Sequence, residues 1–529
     1  MDSKLWSFVS LLLIIFSNFV ALSVQEDVTV KIKGLTTIAK TDENFVCFTL
    51  DWWPKDKCDY GMCPWEQASI INLDLNNTIL NKALQAFKSV RLRIGGSLQD
   101  QIFYKVGKSK DVGRCQELKK DKNGRFGFGD GCLTMERWDQ LSHFFNNTGT
   151  VLTFGLNALN GRRLVGKDLY VGDWDPTNAH DLINYSLSRG YKVESWELGN
   201  ELSAEGVSGR VTGTQYGKDM IVLKKIITQL YEKYNKTSEM PQILAPGGFF
   251  DPEWFADMFI ASGLGVVDVA THHNYHLGAG VDSTLFEKMQ DPYVLSTIAQ
   301  TYSDVEQTLK KFGPWASAWV GESGGAYNSG GRLVSHAFVN GFWYLNELGM
   351  TSSFNHKAFC RQALIGGNYA ILNTTNFIPN PDYYNALLFH RLMGTGVLET
   401  THSGSPFLRA YTHCSRDKVG VTMLLINLSN STGINIKIAS DMNLYPPRLE
   451  KYAEEMMTGE REEYHLTAMN GDLKSTVMLL NGVPLNLTSD GEIPEMYPLI
   501  ADASSPLHVD PSSIAFIKLK EFRAPACDS

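Results

Sequence analysis

The chain has 529 residues, 43% of them hydrophobic and 11% aromatic, with a formal net charge of -9. That length exceeds one ordinary core and predicts two domains, one of them large. The acidic balance excludes the broad basic surface that nucleic acid or a heavily sulfated polymer selects, with one local exception at 105–125, where eight Lys or Arg face three acids.

Lys4, the apolar run 8–16 and the small residues Ala21 and Ser23 read as a secretory signal peptide over 1–23. No later stretch of eighteen apolar residues occurs, so at most peripheral membrane association is expected. Sequons at Asn76, Asn146, Asn184, Asn235, Asn373, Asn427, Asn430 and Asn486 fit passage through the secretory pathway, to the cell exterior, the wall or a vacuole. The eight cysteines are too few to form a framework and act as staples on a real core. Cys58 with Cys63, or Cys115 with Cys132, can clip loops, while Cys414 and Cys527 bracket the C-terminal region; spacing leaves the pairing open. No paired C-x-x-C set occurs, so neither metal nor cofactor is expected.

A period-two strand over 28–33 is followed by strand-like runs at 45–50, 90–94, 151–156, 193–198, 243–245, 266–270, 316–320 and 350–354. Helical spacing at 221–231, 305–312 and 337–348 falls between them. Eight alternating strand and helix units predict a parallel (β/α)₈ barrel over 41–395. An open doubly wound sheet is the alternative, but Asp51-Trp52-Trp53-Pro54 after the first strand is unlike its Gly-rich phosphate turn. Beyond 395, short β-rich segments separated by Gly, Asn, Ser and Pro predict an antiparallel β-sandwich over 396–529, with the strand in 24–40 pairing onto it.

Several barrel runs end in polar residues: Asp51, Asn157, Asn200-Glu201, His272-His273-Asn274, Glu322 and Asn355-His356. Strand C-termini of a barrel meet at one face, so these residues converge from distant parts of the chain. Two stretches, Trp196 to Glu201 and Trp319 to Gly325, each deliver one Glu into a turn, 121 residues apart. Two carboxylates so presented suit hydrolysis of a glycosidic bond, one protonating the leaving oxygen and one acting on the opposite face. Asn200 suits a hydrogen bond to the sugar 2-hydroxyl. Arg91 and Arg93 share a strand face, and one of them pointing inward supports an ionised nucleophile; a surface pair is the alternative. Glu197 reads as a buried carboxylate paired with an arginine. His272 and His273 point oppositely, so one meets substrate and the other is buried.

The stretches WELGNE, WVGESGGAYNSGG, THHNYH (271–276), RQALIGGNY (361–369) and PNPDYYNALLFHRLMGTGVL (379–398) resemble heparanase and its plant relatives in glycoside hydrolase family 79, in that family's order. The resemblance spans about Phe45 to Cys527. It implies a retaining enzyme on a (β/α)₈ barrel with an appended β-sandwich, with Glu201 as proton donor and Glu322 as nucleophile. It further implies uronate recognition by Asp51, Asn200, His272, Tyr327, Gln362, Gly367 and Tyr369, with Arg93 in support, and a Cys414–Cys527 disulfide.

The chain departs from the mammalian members in its short 101–137 segment, so no two-chain maturation is expected. Asn274 replaces an aromatic, and Asn328-Ser329 replace glycines, which weakens any case for a sulfated polymer. The expected function is a monomeric β-glucuronidase acting on glucuronic or 4-O-methylglucuronic acid in glycans such as arabinogalactan or in glycosides. A neutral-sugar glycosidase and a non-catalytic glycan-binding glycoprotein are the alternatives.

Overall fold

The computed structural model describes residues 24–107, 113, 115–203, 207, 209–441 and 459–528; the expected signal peptide lies outside them. Strand β1 spans Val24–Lys40. Eight further strands follow: β2 (Val46–Asp51), β3 (Val90–Gly95), β4 (Thr150–Leu156), β5 (Ser195–Leu198), β6 (Gln242–Phe249), β7 (Val269–Asn274), β8 (Ser317–Ser323) and β9 (His356–Arg361). Each of the eight pairs in parallel with the next and β9 pairs with β2, closing a barrel.

The alternation along these strands explains the closure. In β3, Leu92 and Ile94 join the apolar core, while Arg91 and Arg93 take the other parity and fill the barrel. The lower interior holds Arg91 Nη1 at 3.2 Å from Thr153 Oγ1, with the guanidinium 4.4 Å from the Trp319 ring centroid. Arg93, Glu197 and Thr271 form a polar layer connected by ion pair and hydrogen bond. A surface placement of this arginine pair is thereby overturned.

The strand expected at 350–354 is the last turn of helix Asn340–Ser353, and the eighth barrel strand begins at His356. Every residue from Asn340 to Ser352 is buried, so no polar stripe marks the helical period, and its end reads as a strand. His272, His273 and Asn274 lie within β7 itself, beyond the expected end at 270.

Among the described residues, those after the barrel form most of an eleven-stranded sheet, in which ten strands follow one path of hydrogen-bonded neighbours and the eleventh, Leu499–Asp502, branches off it by pairing with Glu460–Ala468. β1 lies inside it, antiparallel to Met393–His402 and parallel to Thr432–Ser440. In the strand Val421–Asn427, Met423 and Leu425 face a core shared with Val28, Val30 and Ile517, while Leu424 and Ile426 join the barrel's core. Period two therefore glues the sheet to the barrel through one face and encloses its own core with the other.

Four disulfides join Cys58–Cys63, Cys115–Cys132, Cys414–Cys527 and Cys47–Cys360. The last was not anticipated: it ties β2 to β9, register neighbours separated by 313 residues. One sequon needs correction. Asn427 is fully buried, and its Nδ2 donates to the carbonyls of Thr432, Val509 and Asp510, which leaves no access for a glycan.

Candidate active site

The C-terminal ends of the barrel strands open onto a cavity of about 430 Å³ lined by Asp51, Glu201, Tyr275, Glu322, Tyr327, Gln362 and Tyr369, among others. Gly199 (φ 72) and Glu201 (φ 54) take left-handed backbone conformations directly after β5. The Glu201 N–H donates to Gly247 O at 2.7 Å, so the turn is pinned to the neighbouring strand. Glu322 is the penultimate residue of β8. One atom each of Glu201, His273 and Glu322 lie within 4.8 Å of one another.

Arg93 organises the floor. Its Nε meets Glu197 Oε2 at 2.6 Å, its Nη1 meets Glu322 Oε2 at 3.0 Å, and its Nη2 donates to Asn200 Oδ1 at 2.9 Å. Burial works against the guanidinium charge, but Glu197 and Glu322 outweigh it and hold Arg93 above its ordinary range. Thr271 Oγ1 donates to the free oxygen of Glu197 at 2.7 Å. Glu197 is thus fully spoken for below the cavity. Asn200 is fixed from both sides, since its N–H donates to Asp100 Oδ2 at 2.9 Å.

The two carboxyls differ in surroundings. Burial pushes Glu201 up to about 7, against the pull of Arg93 and Arg125, so it keeps its proton at pH values below that. Glu322 is held by Arg93 at one oxygen and by the Tyr275 phenol, 2.7 Å away, at the other. Burial and the nearby Glu322 both hold the Tyr275 phenol well above its ordinary range, so it stays a donor. His273 Nδ1 lies 3.1 Å from Glu201 Oε1, and burial lowers its pKa to about 4, leaving a neutral imidazole. Asp51 is raised well above the usual carboxylate range by burial and by Glu322, and its Oδ2 accepts from Gln362 Nε2 at 2.6 Å.

This arrangement can deliver a proton from one wall and a carboxylate from the other. The Glu201, His273 and Glu322 trio also has donors that could hold a divalent ion. The Arg93 charge at Glu322 and the protonated state of Glu201 both oppose a cation there.

Two expected site residues sit elsewhere. His272 is fully buried with its Nε2 2.8 Å from His356 Nε2 and its ring against Tyr302, so His273, one residue on and of opposite parity, is the one that faces the acid. The Gly367 N–H donates to Pro64 O at 3.0 Å, and a Cβ there would stand 2.6 Å from the Tyr369 ring, so Gly367 makes room for Tyr369 rather than lining the cavity. Asn274 also faces away, accepting from Ser323 Oγ at 2.6 Å and donating to Tyr302 Oη at 2.9 Å. Tyr275 was missed as a functional residue, although it lies two positions beyond His273.

The sequence pattern described as "Glycosyl hydrolase family 79, N-terminal domain" matches residues 27–349. Heparanase-like protein 2 of Arabidopsis thaliana is 49% identical over 95% of this chain and 95% of its own. The baicalin-beta-D-glucuronidase of Scutellaria baicalensis is 39% identical over 94% of this chain and 92% of its own. Among solved structures, an alpha-L-arabinofuranosidase from Thermotoga maritima shares the fold at a TM-score of 0.63 and 15% identity, covering 93% of this chain and all of that one.

Proposed function

The chain belongs to glycosyl hydrolase family 79 and is a glycoside hydrolase, and from that premise we propose that it is a retaining β-glucuronidase removing terminal glucuronic acid or its 4-O-methyl form. The observation that carries the reading is the close opposition of a proton-holding Glu201 and an Arg93-paired Glu322, with oxygens within 4.8 Å. That closeness suits the separation of about 5–5.5 Å for retention and not the wider gap that admits a water.

In the first step a Glu322 oxygen attacks the anomeric carbon while Glu201 gives its proton to the departing oxygen, leaving a glycosyl ester on Glu322. In the second, Glu201, now a carboxylate, takes a proton from water as that water displaces Glu322, and both groups return to their starting states. Arg93 and Tyr275 stabilise Glu322 as a leaving carboxylate. Asn200, its carbonyl held by Arg93, has its amide N–H groups free to meet a sugar hydroxyl.

The name of the Scutellaria relative supports a glucuronide as substrate, whether a flavonoid glycoside or a glucuronic acid side chain of an arabinogalactan. Four disulfides and the exposed sequons Asn76, Asn146, Asn235, Asn430 and Asn486 suit an oxidising compartment outside the cytosol. The test is an aryl β-glucuronide assay of E201Q and E322Q beside the matching glucoside and xyloside. The wild type should prefer the glucuronide and both variants should lose turnover; full activity in either sinks the assignment.

A further inference from the structure

Loop 52–65 is the part of the cavity wall that carries a cation. Cys58–Cys63 ties it into a tight turn, and Asn328 and Ser329 hold it down from across the mouth. Asn328 Nδ2 donates to Tyr60 Oη at 2.9 Å, and Ser329 Oγ donates to Asp59 Oδ2 at 2.5 Å while accepting from Trp65 Nε1 at 2.9 Å. Both residues stand at positive φ, 57 and 69, where glycine is the unstrained choice. Their side chains give the backbone strain a reason: they latch the loop.

The latch presents Lys57. Its Nζ lies 4.5 Å from the Trp53 ring centroid and 2.7 Å from Asp59 Oδ1, which leaves donors of the ammonium unspent. Among the described residues that line the cavity, Lys57 is the single Lys or Arg. Of the other nearby cations, Arg93 is committed to Glu197, Glu322 and Asn200, and Arg125 is paired with Asp100. Lys57 also belongs to the wall that bears Tyr369: Asn368 N–H donates to Ser329 O at 2.7 Å, and Ser329 in turn holds the Asp59 that holds Lys57. The amide of Gly367 is spent on Pro64.

Resting on the glucuronidase reading, we propose that Lys57 is the specificity-determining residue that binds the carboxylate of the sugar being released, with Asn328 and Ser329 as positioning residues that hold its loop. A carboxylate entering the cavity meets acids at Asp51, Asp59, Glu201 and Glu322, and Lys57 supplies the charge that makes an anionic sugar acceptable there.

The test compares kcat/KM for 4-nitrophenyl β-D-glucuronide and 4-nitrophenyl β-D-glucoside, which share a leaving group, in the full-length wild type, K57M, K57R and S329G. The glucuronide-to-glucoside ratio should fall by about 30-fold in K57M, the loss expected of one charged hydrogen bond, with partial recovery in K57R and a smaller fall in S329G. If the glucoside turns over too slowly to read, inhibition by free glucuronate and by glucose supplies the same ratio. A lysine that only braces the loop lowers both rates together, so an unchanged ratio overturns the proposal. A loss confined to a glucoside with an acidic aglycone also overturns it, because the charge would then face the leaving group. A wild type without preference for the glucuronide instead removes the glucuronidase reading itself, before any variant is made.

Discussion

The phenol of Tyr275 donates to Glu322 Oε1 across 2.7 Å while Arg93 holds the other oxygen of the same carboxylate at 3.0 Å. Replacing Tyr275 by Phe removes one stabilising donor from the anion and leaves the aromatic packing against Phe249. The expected result is a fall in kcat/KM of about tenfold or more. A Y275F enzyme with an unchanged kcat/KM contradicts this role.

Glu201 must carry its proton to act as the acid, and burial raises it to about 7. Activity therefore holds below that value and declines as pH rises through it, which places an alkaline limb of kcat/KM near 7. E201Q should abolish that limb along with most of the rate. Azide should rescue turnover of an activated aryl glucuronide in an E201A enzyme, with the glycosyl azide of retained configuration as product.

Glu347 is a second buried acid, raised by burial to about 8 with Tyr302 donating to it at 2.5 Å. Its folded pKa exceeds the unfolded one, so its contribution to stability is present at low pH and is lost as pH climbs towards 8. Tm measured across that window should decline, and E347Q should flatten the decline. A parallel slope in the variant assigns the pH dependence to other groups.

Glycopeptide mass spectrometry should find Asn427 unmodified while Asn76, Asn146, Asn235, Asn430 and Asn486, all exposed, accept glycans. Replacing Asn427 by Ala strips a donor from three carbonyls at once and should cost about 2 kcal/mol or more. Urea titration of the purified variant reads that loss.

The barrel was legible where one face of a strand is apolar and the other ends in chemistry, as in Arg91-Leu92-Arg93-Ile94 and in the run ending at Asn200-Glu201. It was hidden where burial erases periodicity, as in the helix Asn340–Ser353, whose last turn passes for a strand. The two acids were visible as residues, while Glu201's proton affinity comes from burial that no single stretch of sequence displays. Parity said that His272 and His273 diverge; which of them faces inward depends on the strand's placement within the closed barrel. Lys57 was illegible because its setting depends on Ser329, 272 positions away in the chain.

The Cys47–Cys360 bridge has a topological side. Together with the polypeptide it forms a covalent ring that contains six of the eight barrel strands in full and most of the two strands at its seam, and the basic segment 105–125 lies on that ring. One backbone cut anywhere on the ring opens it without freeing a fragment. A protease acting at 105–125 would therefore leave a single species on a non-reducing gel that separates into two pieces only after thiol treatment, and the nicked enzyme would keep its strands in register long enough to be assayed as an intact barrel.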